Sequence, residues 1–101
     1  MKRLVWLGSA QRDLRDIYQY YTEKASPKIA SNLLQRIVES SEHLIGQPYM
    51  GVLVSDDLLE WHIPDLTYTL PYRVVGEDIE ILRVFHQSQE KPSRWECEQS
   101  S

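Results

Sequence analysis

The chain has 101 residues, 42% hydrophobic and 26% charged, which fits one small globular domain over 1–101 and excludes a disordered polymer or a second core. Its formal net charge is −4. That is the wrong sign for a protein whose affinity for nucleic acid comes mainly from gripping phosphates, so direct DNA binding by this chain is not expected.

No run approaches the roughly 18 apolar residues of a membrane span. The apolar stretch after Lys2-Arg3 ends at Gly8, too short for the core of a signal peptide, so a cytoplasmic protein is expected. Cys97 is the single cysteine. It excludes an intrachain disulfide and a cysteine-based zinc site.

Lys2 to Leu7 reads as a short first strand bounded by Gly8. Ser9 is the expected N-cap of a first helix, in which Ala10, Leu14, Ile17, Tyr18, Tyr21 and Ala25 repeat with the rhythm of one apolar face. Tyr18, Tyr20 and Tyr21 cannot all share that face, so Tyr20 is a candidate contact for a partner. Ser26-Pro27 starts a second helix, with a hydroxyl cap followed by proline at the first helical position. Its apolar pairs run from Ile29/Ala30 to Leu44/Ile45, Gly46 is the expected C-cap, and Pro48 stops the helix. The two helices form an antiparallel hairpin whose apolar stripes need a surface to cover.

Tyr49 to Val52 is expected as loop, and Leu58 to Ile63 as a strand closed by Pro64-Asp65. Leu66, Tyr68, Leu70, Tyr72 and Val74 alternate with Thr67, Thr69, Pro71 and Arg73, the period of a half-buried strand. Pro71 cannot donate to a ladder, so its N–H side is expected at a bulge or without a partner. Gly76-Glu77 is a hairpin turn, and Ile79 to Phe85 reads as one central strand. A two-residue or four-residue turn puts Arg73 opposite Glu80 and Leu70 opposite Arg83, with Tyr72, Val74, Ile79 and Ile81 on one face, whereas a three-residue turn would mix the faces; the first register is expected. The expected fold is α+β, in the order β-α-α-β-β-β, an antiparallel sheet joined at an edge by the first strand and packed against the helical hairpin.

With that order in place, Tyr72-Arg73-Val74-Val75 and Ile79 through His86 resemble the RelE/ParE superfamily of type II toxins. Leu44 to Gly51 is similar to its helix-end signature of proline, one or two residues, then glycine. The resemblance covers roughly residues 3 to 95. It implies an antitoxin partner and one of two actions: RelE-like members cut mRNA on the ribosome, whereas ParE-like members poison DNA gyrase. Cutting requires a base, an acid and cations around the phosphorus. Laid over the RelE pattern, the paired lysines fall on Glu60 and His62, the third-strand arginine on Thr69, the arginine after the last strand on Gln89 and the C-terminal tyrosine on Trp95. The ParE-like branch is therefore the better implication, with an mRNA interferase or an inactive relative as alternatives.

Were the chain a nuclease, His86, His62, Arg83 and Arg73 would be its catalytic candidates, His62 and His86 pairing with Glu60 in one acid–base site. As a binding protein its contact candidates are Arg83, His86, Trp95 and Tyr20. Arg73 is expected to pair with Glu80. Arg83 divides between an internal salt bridge and a cation offered to a partner. The histidine and carboxylate spacings match no metal-ligand motif, and no cofactor is expected.

Overall fold

A computed structural model describes residues 2–87. The elements are β1 (Arg3–Trp6), α1 (Gly8–Lys24), α2 (Pro27–Ser41), α3 (His43–Gly46), β2 (Val52–Ser55), β3 (Leu58–His62), β4 (Tyr68–Val75), β5 (Asp78–Ile81) and β6 (Phe85–His86). The strands form a single sheet in the order β1-β5-β4-β3-β2, with β6 beside β4. β1 runs parallel to β5, and the other neighbours are antiparallel. The α+β class and the packing of a helical hairpin on one face are as expected from the sequence.

The core lies between that hairpin and the sheet. Ala10, Ile37 and Leu44 from the helices meet Leu70, Tyr72, Ile79 and Ile81 from the strands, all fully buried. Truncating one of the large aliphatic side chains here removes about 2–5 kcal/mol of stability. The opposite face carries a smaller apolar group of Leu58, Leu82 and Phe85.

Several local expectations are corrected. The first helix begins at Gly8 and its N-cap is Leu7. Ser9 lies inside the first turn, and its hydroxyl donates to the Leu82 carbonyl at 2.7 Å. Tyr18 is exposed, because the stripe facing the core is narrower than the sequence pattern. The second helix does start at the Ser26 cap, whose Oγ accepts from the Ile29 N–H. It is interrupted after Ser41, whose hydroxyl donates to the Val38 carbonyl, and resumes as α3. Gly46 is then the last residue of α3, with Gln47 as the cap.

Val52 to Ser55 is a strand and forms the second edge of the sheet. Its residues are all exposed, so no alternation of polar and apolar side chains marks it in the sequence.

The expected long last strand is split. Arg73 does face Glu80, and Tyr72, Val74, Ile79 and Ile81 share a face, with Gly76 at φ 60° in the two-residue turn. Beyond Ile81 the pairing stops and restarts one residue out of step, Thr69 facing Phe85 and Tyr68 facing His86. Leu70 and Arg83 are therefore not ladder partners. Pro71 helps to explain the break. Its carbonyl accepts from the Leu82 N–H at 2.9 Å, and in an antiparallel ladder a residue's N–H points to the same neighbour as its C=O. The donor that proline lacks is thus missing on the side where the strand gives way.

One tyrosine joins the middle of the sheet to its new edge. The Tyr72 hydroxyl donates to the Pro48 carbonyl at 2.8 Å and accepts from the Gly51 N–H at 3.0 Å. This physical tie underlies the proline–glycine spacing noted in the sequence. A β-carbon on Gly51 would stand 2.7 Å from the Glu60 carbonyl oxygen and 2.9 Å from the Tyr72 ring. Only glycine fits without a backbone shift.

We expect Gly51→Ala to cost about 1–3 kcal/mol by overpacking. Tyr72→Phe, which leaves two backbone groups without their partner, should cost about 1–2 kcal/mol. Urea denaturation monitored by circular dichroism measures both. Burial also pushes the Tyr72 phenol above its ordinary range, the Gly51 N–H acting in the opposite sense. The unfolded phenol ionises near pH 10 while the folded one stays protonated. Stability should accordingly fall as pH rises through that point, and less steeply in Tyr72→Phe.

Candidate functional site

The break in the sheet is held by the first turns of α1. Ser9 and Asp13 are one helical turn apart and so lie on the same side of the helix. Ser9 takes the Leu82 carbonyl, as described. The Asp13 carboxylate accepts from Arg83 Nε at 2.7 Å, from Arg83 Nη2 at 3.1 Å and from the Val84 N–H at 2.9 Å. Two side chains from a helix thus satisfy backbone groups that the interrupted strand leaves without a ladder partner. The hydrogen-bonded carboxylate holds the Arg83 guanidinium above its ordinary pKa, against the opposing effect of burial.

Because the strand turns away here, a cavity of about 550 Å³ opens between α1 and the end of the sheet. The helix contributes Asp13, Asp16, Ile17, Tyr20 and Tyr21 to its wall. The sheet contributes Tyr68, Arg83, Val84 and His86. Tyr20 is 54% exposed at the rim, with its ring edge-to-face on Tyr21. Tyr68 lies edge-to-face with His86, whose Nε2 is 3.0 Å from the Thr67 hydroxyl. Burial, and then the Tyr21 hydroxyl, push the Tyr68 phenol above its ordinary range. Three of the four contact candidates named from the sequence, Arg83, His86 and Tyr20, therefore meet at one cleft. The fourth, Trp95, lies outside the described residues, as do Gln89 and Cys97.

Of the four nuclease candidates, Arg83 and His86 share the cleft, but His62 and Arg73 do not join them. His62 is opposite Thr69, and its Nδ1 is 2.7 Å from the Thr69 hydroxyl. Thr69 in turn is opposite Phe85. Directly opposed residues share a face, and successive residues alternate. His62, Thr69, Arg73 and Glu60 thus lie on the face away from the helices, whereas Tyr68 and His86 lie on the helix side. The expected acid–base pairing of His62 with His86 is corrected on that ground. Glu60, at the position where the RelE pattern has a lysine, is only 5% exposed. Arg73 donates to Glu80 at 2.7 Å, as read from the sequence. Arg83 has an internal partner too, Asp13, which the sequence reading missed. The available signal was an acidic residue spaced four from Ser9 at the start of a helix, with no cation three or four positions away on the same helix face.

A second surface lies at the other end of the sheet. β2 has β3 on one side, while its other side has no strand among the described residues and is an open edge there. Val52, Leu53 and Val54 on it are exposed, Leu53 by 63%, and Tyr49 and Met50 are exposed just before them. Edge strands of monomers are usually guarded by charge or proline, and an apolar open edge marks a surface that pairs with another chain.

This architecture, a helical hairpin on a sheet with an interrupted last strand, is that of a class of small α+β toxins. The chain belongs to the family of ParE toxins of type II toxin–antitoxin systems, parDE, whose family model matches residues 4–91. Among solved structures it is similar to a chain of the chromosomal ParDE TA system from P. aeruginosa, with 28% identity and a TM-score of 0.76 over 85% of this chain and 96% of that chain. Comparison with curated proteins gives no match.

If Asp13 is what holds the break, Asp13→Ala should destabilise by about 1–3 kcal/mol, at the low end for the Arg83 bonds because that side chain is about a third exposed. In a double-mutant cycle with Arg83→Ala, the two changes should fail to add by about 1 kcal/mol. Additive losses would show that the pair is not coupled.

Proposed function

We propose that this toxin acts by binding, as a ParE-like poison of DNA gyrase, and that a cognate antitoxin neutralises it. The observation that carries the reading is the state of two arginines, Arg73 on β4 and Arg83 in the break between β5 and β6. Arg73 and Arg83 are both engaged by carboxylates of the chain itself, at 2.7 Å in each case. A phosphorane with extra negative charge needs cations aimed at it, and those attached to Glu80 and Asp13 are already partly neutralised. The positions where a cutting enzyme of this superfamily would place cations carry Glu60, His62 and Thr69, and the net charge of −4 opposes a polyanion.

The open apolar edge at β2 supports the same reading from the other direction. An exposed strand can accept the backbone of an extended partner segment, with Val52 and Leu53 supplying buried area. Such pairing suits an antitoxin that folds as it binds.

Purified protein should inhibit supercoiling by DNA gyrase while ribosome-bound transcripts stay intact. Cleaved transcripts, with supercoiling unaffected, would overturn the proposal in favour of an mRNA interferase.

A further inference from the structure

The cleft between α1 and the sheet break has a chemistry that the reading above does not use. Its rim carries a carboxylate, Asp16, that makes no ion pair within 4.0 Å among the described residues. Asp13 beside it is matched by Arg83, so Asp16 is the carboxylate of the cleft without an ion-pair partner among the described residues. The walls are aromatic: Tyr20, Tyr21 and Tyr68 all line the cavity. The Tyr20 ring already draws a cation, Lys24 Nζ standing 5.9 Å from its centroid, the outer range for a cation–π contact. A carboxylate set beside tyrosine rings is complementary to a planar cation, which can stack on a ring and donate two parallel bonds to the carboxylate.

We propose that this cleft receives an arginine side chain of a polypeptide partner. The inference rests on the reading that the chain's partners are polypeptides, and it adds the chemistry by which one of them is recognised. Arginine is favoured over lysine because the ammonium is a compact, strongly hydrated point charge without a planar face. The surroundings also specify what flanks the arginine. Tyr21 and Tyr68 are shared with a second groove of about 340 Å³, walled by Ile29, Leu33 and Leu66 and by the polar Asn32, Arg36 and Thr67. A segment whose arginine enters the cleft would run its neighbouring residues along that wall, which suits apolar side chains and, opposite Arg36, a carboxylate or amide. The partner motif is therefore an arginine beside aliphatic or aromatic residues.

The test uses free, full-length toxin labelled with 15N and two small probes, N-acetyl-arginine methylamide and its neutral isostere N-acetyl-citrulline methylamide. The arginine probe should shift the amide resonances of Asp16, Ile17, Tyr20 and Tyr68 in a saturable way. Citrulline, which keeps the shape and loses the charge, should bind about tenfold more weakly. Asp16→Asn should weaken the arginine probe about as much, whereas Asp56→Asn, on an exposed turn after β2, should leave it unchanged. Equal binding of the two probes, or unaltered binding to Asp16→Asn, overturns the proposal. If the probe shifts the cleft only in an Arg94→Gln variant, the chain's own arginine is the occupant and the proposal fails. Gyrase takes no part in this experiment, so its failure leaves the supercoiling prediction standing, and the reverse also holds.

Discussion

The Asp13 carboxylate is the point on which the functional half of the molecule depends. A strand that leaves its ladder exposes backbone groups, and each one kept from water without a partner costs about 1–3 kcal/mol. Asp13 takes the Val84 N–H and the Arg83 guanidinium together, and Ser9 takes the Leu82 carbonyl. The break is thereby satisfied from a different element, which fixes α1 against the sheet at that place. It also fixes the distance between the helix and the last strand, and so the shape of the cleft. Pro71 makes the arrangement cheaper, since the neighbouring strand has one donor fewer to lose there.

The same ion pairs decide how the surface reads electrically. Arginines within strands suggest cations presented to a ligand, yet both Arg73 and Arg83 face carboxylates at 2.7 Å. What remains at the cleft is negative and aromatic, and what remains at the β2 edge is apolar. Neither matches a polyanion. Both suit protein partners, in keeping with membership of the ParE toxin family. The two surfaces lie at different places on the sheet, so a single partner would have to wrap the domain to reach both.

Much of the fold was legible because its signals are local. The helix start at Ser26-Pro27, the period-two alternation of β4 and the turn at Gly76 each follow from residues within a few positions of one another. From the turn, the Arg73–Glu80 register followed too. The failures have the opposite character. Nothing near residue 83 reveals that its partner is residue 13, and an unbroken run from Ile79 to Phe85 gives no sign that the ladder slips by one. β2 was not read as a strand, Val52 being placed in a loop and Leu53 to Ser55 in no element, because a strand exposed on all its residues has no alternating pattern to detect. For the site, residue types identified Tyr20, Arg83 and His86 individually, but not that they share a cleft. Nor did they reveal that His86 lies on the opposite face from His62, because the face of His86 depends on a one-residue slip.

The parallel pairing of β1 with β5 sets a timetable for the birth of the protein. Arg3 and Asp78 are neighbours in the sheet although 75 positions separate them along the chain. During translation the helical hairpin is complete early, with its greasy stripes facing nothing, while the strands that will blanket them are still to be made. At about 5–20 residues per second the interval lasts several seconds. The cleft is thus completed late in synthesis, since its wall takes Arg83, Val84 and His86 from beyond β5.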